Sequence, residues 1–114
     1  MQDRSAQSPA ESAARQALVA AAMAMLDGTL PFNEGAYQVT KLRHHIGGVA
    51  ERDEDFDIFI AIESETDHLP LKAQFALWQT EALERLAPEF ERTQAWASQF
   101  APAACASLVN RFKE

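Results

Sequence analysis

Only one stretch of this 114-residue sequence, residues 56–62, alternates in the manner of a β-strand. The phenylalanine and isoleucines at its even positions fall on one face, but Phe59 and Ala61 make the other face apolar as well. No second convincing strand is present, and a lone strand would leave its backbone amides and carbonyls unpaired. The acidic residues around Phe56 instead suit the N-terminal end of a helix dipole. A short helix is therefore favoured, with a strand that pairs across a dimer as the alternative.

Elsewhere, apolar residues recur at helical spacing between glycine and proline signals. Ser8–Glu11 has the composition of a capping box and predicts the start of the first helix, which Gly28 ends. A second helix is predicted from about Asn33 to the Gly47–Gly48 pair.

Two prolines mark features of the later helices. Thr80 is expected to cap a helix that Pro88 either kinks or restarts, and Pro102 is expected to open the last helix. Trp78 and Trp96 fall at helical spacing and are expected to lie in the core.

These patterns predict an all-α fold, a compact bundle of about five helices in one domain. A chain of this length can bury a sufficient core without a metal or a disulfide. Residues 1–7 are expected to form a disordered tail, and residues 8–114 the helical domain. Cys105 is the only cysteine and is interpreted as a small buried apolar side chain.

The longest apolar run, residues 17–26, is half the length that a bilayer span requires. The charges that precede it sum to zero, whereas an export signal needs a positive leading region. A cytoplasmic location with no membrane contact is therefore expected.

Negative charge is concentrated in one segment. Residues 51–67 hold eight acidic residues and one basic residue, so this segment has a net charge of −7. The whole chain has the same net charge. The remaining residues hold nine acids and nine bases, so they are balanced. Such a field repels nucleic acid and attracts a basic partner or a cation. The residues expected to contact a basic partner are Asp53, Glu54, Asp55 and Asp57.

A polar segment follows directly after the apolar residues 56–62 and ends at Pro70. Its side-chain oxygens are expected to hold a turn and cap the next helix. This structural turn motif comprises Ser64, Glu65, Thr66, Asp67, His68 and Pro70. A contact with a partner, acid–base chemistry and a divalent metal are alternatives. The metal ligands would be Glu63, Glu65, Asp67 and His68, with His44 as a further candidate.

His44 and His45 lie near the end of the second predicted helix, where protonated histidines favour the helix dipole. Adjacent helical positions point about 100° apart, so both histidines can seldom bind one metal. They are interpreted as an exposed basic cap, which could also pair with the acidic residues 51–67.

Several short motifs resemble those of a family of small bacterial proteins of unknown function. The motifs are Leu26-Asp27-Gly28-Thr29-Leu30, Glu34-Gly35-Ala36, Leu42-Arg43-His44, Ser64-Glu65-Thr66-Asp67-His68-Leu69-Pro70 and Trp78. The resemblance covers roughly residues 20–80, and the Ser64–Pro70 segment is its most specific part. It implies a bacterial source and brings no catalytic residues.

The favoured function is a non-enzymatic acidic binding protein without a cofactor. It would occlude a basic partner, as immunity proteins neutralise cationic toxin domains. The chain contains no phosphate-binding glycine loop, paired CxxC, HExxH or nucleophile elbow. The alternatives are a divalent-metal-dependent enzyme or metal sensor that uses residues 63–68, and a homodimeric structural or regulatory protein.

Overall fold

The computed structural model describes residues 8–113, in which five α-helices are joined by turns and two short 3-10 helices. The α-helices are α1 (Pro9–Leu26), α2 (Phe32–Leu42), α3 (Glu54–Thr66), α4 (Thr80–Ala97) and α5 (Ala101–Phe112). The 3-10 helices are Arg43–His45 and Lys72–Leu77. The prediction of an all-α fold is confirmed. The predicted tail, residues 1–7, lies outside the described residues.

Helix α1 begins with the predicted capping box. The Ser8 hydroxyl accepts from the Glu11 amide at 3.0 Å, and the Ser8 amide donates to the Glu11 carboxylate at 3.2 Å. The chain leaves the helix at Gly28, whose φ of 85° is readily adopted only by glycine. Both ends of α1 are therefore determined by local sequence.

The ambiguous segment, residues 56–62, forms part of α3, so the helical interpretation is confirmed and the strand alternative is wrong. Phe56, Phe59 and Ile62 are fully buried, as expected for one face of a helix. Ile60 is 40% exposed. A strand would have placed Ile60 on the same face as Phe56 and Ile62.

Helices α1, α2, α3 and α5 pack together and supply nearly all of the hydrophobic core. Helix α4 contributes only Ala97 to the buried residues. It passes through Pro88 without interruption and begins after Gln79, which makes no side-chain cap. The predicted cap at Thr80 is therefore wrong, because Thr80 is already the first helical residue.

Close packing between α1 and α2 depends on Gly35. A Cβ added at this position would lie 2.1 Å from the Met25 sulfur, far inside van der Waals contact. Met25 is itself buried. A side chain at position 35 would therefore require the Met25 side chain to move.

The turn after α2 is anchored by Arg15 from α1. Its guanidinium donates to the carbonyl of Ile46 at 2.8 Å and to that of Gly47 at 2.9 Å. These carbonyls lie at the predicted stop of the second helix, which extends as a 3-10 helix to His45. Within residues 8–113, no helix is sufficiently long and apolar to cross a membrane.

Candidate functional site

The acidic residues at the start of α3 are held by an arginine of the same chain. The Arg111 guanidinium donates to both carboxylate oxygens of Asp53, at 2.9 and 2.8 Å, and to Asp55 at 2.8 Å. Ser107 adds a hydrogen bond to Asp55 at 2.6 Å. We call these four side chains, Asp53, Asp55, Ser107 and Arg111, the arginine clamp. It joins the beginning of α3 to the end of α5.

Asp53 also caps the N-terminus of α3. Its Oδ1 accepts from the Asp55 amide at 3.1 Å and from the Phe56 amide at 3.4 Å. The Arg111 guanidinium holds the pKa of Asp53 below its usual value, with further lowering by these amides. Burial of the carboxyl raises this pKa and offsets part of the lowering. The fold therefore favours the charged form of Asp53.

Three of the four predicted partner-contacting residues are thus bonded within the molecule. Asp53 and Asp55 belong to the arginine clamp, with side chains only 13% and 18% exposed. Asp57 pairs with Arg52 at 3.2 Å. Glu54 is the exposed member of the four. The four residues are therefore not equally available to a partner, because Arg111, far away in the sequence, bonds to Asp53 and Asp55.

The exposed acidic residues of segment 51–67 lie in two groups. Glu51 and Glu54 lie at the beginning of α3, and Glu65 and Asp67 lie at its end. A helix of this length separates the two groups by about 20 Å. The negative field therefore covers both ends of one helix and is not a single cluster.

The segment Ser64–His68 is partly helix and partly turn, with the turn at Asp67 and His68. Residues 64–66 form the last turn of α3, and the buried Thr66 hydroxyl donates to the Ile62 carbonyl at 2.7 Å. The start of the next 3-10 helix is bonded instead by Gln74, whose side chain accepts from the Leu71 amide at 2.8 Å. The segment therefore ends α3 and does not cap the next helix.

Among residues 8–113, no three or more histidine, cysteine, aspartate or glutamate side chains are arranged to hold a metal ion. The four ligands proposed from the sequence, Glu63, Glu65, Asp67 and His68, do not converge. His68 contacts Glu89 of α4 through its Nε2 atom. His44 and His45 are exposed.

The contact of His68 with Glu89 links the end of α3 to α4. Replacing His68 with alanine should speed amide hydrogen exchange along α4, because this helix has few other attachments. The global free energy of unfolding should fall by less than about 1 kcal/mol, as for other exposed ion pairs. His45→Ala is the control at an exposed histidine. Equal exchange rates in the two variants would contradict a linking role.

The expectation that both tryptophans lie in the core is wrong. Trp78 is 40% exposed and Trp96 is 36% exposed, and the neighbouring Leu77 is 86% exposed. Trp96 packs edge-to-face against Phe100 with ring centroids 4.9 Å apart. Trp96 lies on α4, whereas Trp78 follows the 3-10 helix Lys72–Leu77 with an extended backbone, and no other element of the described chain covers either ring fully.

A cleft of about 590 Å³ opens between the α1–α2 turn, the 3-10 helix Lys72–Leu77 and α4. Its apolar wall includes Leu30, Pro31, Phe75 and Phe90, and the two phenylalanine rings meet edge-to-face with centroids 6.1 Å apart. The polar residues that line it are Asn33, Glu34, Lys72, Glu91 and Gln94.

Two hydrogen bonds hold the walls of the cleft together. The Gln94 side-chain carbonyl accepts from the Phe32 amide at 2.9 Å, which joins α4 to α2. The Glu34 carboxylate accepts from the Lys72 amide, which joins α2 to the 3-10 helix. No sequence pattern indicates this cleft, because its lining residues come from positions 28–94 and share no motif.

Protein-family models, curated proteins and solved structures were each compared with this chain, and none matches. Function is therefore inferred from the charges and geometry of the chain itself.

Proposed function

We propose that this chain is a non-enzymatic binding protein that recognises a basic protein partner, in the manner of an immunity protein that neutralises a cationic toxin domain. The observation that supports this function is the location of the charge surplus. Segment 51–67 carries the entire net charge of −7, while the rest of the chain is balanced. The exposed acids of this segment lie at the two ends of α3, so each end carries a negative field of its own.

The internal pairing narrows the residues assigned to the contact. Asp53 and Asp55 are engaged by Arg111, so they stabilise the fold and orient α3. The contact is assigned to the exposed acids Glu54 and Glu51 at the beginning of α3, with Glu65 and Asp67 at its end. The two groups would bind basic side chains about 20 Å apart on the partner.

The mechanism is electrostatic steering followed by occlusion. The negative field at α3 raises the rate of encounter with a cationic surface, and the bound protein then covers the basic groups of the partner. Such an association weakens as salt concentration rises, because exposed charges are screened over about 10 Å at 0.1 M salt.

Charge reversal at the beginning of α3 tests the assignment. The double variant Glu51→Lys, Glu54→Lys should bind a nona-arginine peptide at least tenfold more weakly than the unmodified chain in low salt. Binding is measured by isothermal titration calorimetry at several salt concentrations. The matched control is Glu81→Lys, Glu84→Lys, which changes the net charge equally at two exposed positions of α4.

The control should lose much less affinity than the α3 variant, since it leaves the field at α3 intact. Equal losses in the two variants would show that only total charge matters, and the assigned surface would then be wrong. Circular dichroism of each variant checks that the helices are retained, which is expected because neither pair of residues is buried.

A further inference from the structure

We propose that the cleft between α2, the 3-10 helix Lys72–Leu77 and α4 binds a small molecule that combines an apolar body with a carbonyl or carboxylate acceptor. This site is separate from the acidic surface of α3 and does not depend on the function proposed for it. Its volume of about 590 Å³ falls within the range of 300–1,000 Å³ typical of small-ligand sites.

The apolar half of such a ligand has a defined place in the cleft. Leu30 and Pro31 line one wall, and the edge-to-face pair of Phe75 and Phe90 lines another. Phe75 and Phe90 are only half-buried, so an aromatic or aliphatic group placed against them would remove further apolar surface from water.

The Asn33 side chain indicates that the ligand carries a hydrogen-bond acceptor. Asn33 lines this cleft, and also a smaller cavity of about 120 Å³ beside Tyr37, and is only 9% exposed, yet its side-chain nitrogen has no hydrogen-bond partner among residues 8–113. A buried donor without a partner costs about 1–3 kcal/mol, so an apolar residue would be expected at a position with a purely structural role. A ligand oxygen would supply the missing acceptor.

The charged residues at the cleft determine the ligand class. Lys72 is exposed and offers a positive group to a carboxylate, while Glu34 and Glu91 also line the cleft and oppose a full negative charge. A neutral amide satisfies Asn33 without opposing any of these charges. An ammonium group has only donors, so it cannot accept from Asn33.

Three compounds with one apolar body separate these cases: 3-phenylpropanamide, 3-phenylpropanoate and 3-phenylpropylamine. The amide should bind at least tenfold more tightly than the amine, and the carboxylate less tightly than the amide. Affinity is obtained from titrations followed by two-dimensional NMR of the amide groups. The largest shifts are expected at residues 28–34 and 90–94, which border the cleft.

The variant Asn33→Leu tests the role of the amide. It should bind 3-phenylpropanamide at least tenfold more weakly, while its melting temperature stays equal or rises because an unpaired buried donor is removed. Asn110→Leu, at an exposed position of α5, is the matched control and should leave affinity unchanged.

Three results would overturn the proposal. The first is equal binding of the amine and the amide. The second is an Asn33→Leu variant with a lower melting temperature and unchanged affinity. That result would mean that the Asn33 side chain bonds to a buried water and not to a ligand. The third is a cleft occupied by a second copy of the chain, which light scattering would show as a dimer that the ligands do not dissociate.

Discussion

Replacing Arg111 with alanine is expected to lower the free energy of unfolding by about 2 kcal/mol. The loss arises because Asp53 and Asp55, both mostly buried, would keep their charges without the guanidinium that now bonds to them. Breaking a fully buried ion pair costs more stability and breaking an exposed pair costs less. An intermediate loss is expected here because the Arg111 side chain is 36% exposed. Urea denaturation followed by circular dichroism measures the change.

Arg52→Ala provides the matched control. Arg52 also pairs with an aspartate of α3, Asp57, but its side chain is 86% exposed. The expected change is below about 0.5 kcal/mol, because solvent screens the pair and ordering the side chain costs entropy. A similar loss in both variants would mean that burial does not strengthen the arginine clamp.

The stabilisation by Arg111 should also depend on pH. The pKa of Asp53 is lowered in the folded state by Arg111, so its contribution is fully present above the pKa of an unfolded aspartate. The contribution is lost as pH falls through the lowered folded pKa. Between pH 5 and about pH 2, the unmodified chain should therefore lose more stability than Arg111→Ala, and the two should converge in acid.

Gly35→Ala is the second substitution with a large expected effect, a loss of about 2 kcal/mol in the free energy of unfolding. Alanine is normally the better helix former, so propensity alone predicts a gain. The loss is expected because the new Cβ would lie 2.1 Å from the sulfur of the buried Met25, so this side chain would have to move within the core. Thermal and urea unfolding measure the sign directly.

A double-mutant cycle isolates this contact. Met25→Ala alone should cost about 3 kcal/mol through the cavity that it creates. On that background Gly35→Ala should cost much less, giving a coupling energy above about 1 kcal/mol. Gln38→Ala, an exposed position in α2, controls for helix propensity. Additive losses in the cycle would show that Gly35 is required for another reason.

The features that the sequence predicted are those determined within a few residues. The capping box at Ser8–Glu11 and the stop at Gly28 depend on local hydrogen bonds and backbone conformation. The acidic residues before Phe56 and the lack of a partner strand indicate a helix over residues 56–62, and the structure buries Phe56, Phe59 and Ile62 on one face of that helix.

The features that escaped prediction depend on residues far apart in the sequence. The arginine clamp joins Asp53 to Arg111, and the cleft joins Asn33 to Gln94. Helical periodicity shows that a face is apolar but not whether another element covers it. For this reason helical spacing places Trp96 in the core, although α4 buries only Ala97, and Trp78 likewise, although it follows the 3-10 helix Lys72–Leu77 and is 40% exposed.

The sparse burial of α4 has a consequence for access to the cleft. A helix held by one buried residue and a few surface bonds can detach at a lower free-energy cost than global unfolding. Since α4 forms one wall of the cleft, its detachment widens the opening while α1, α2, α3 and α5 stay packed. The cleft can therefore admit molecules through a transiently open wall, and its resting width does not set the upper limit on what enters.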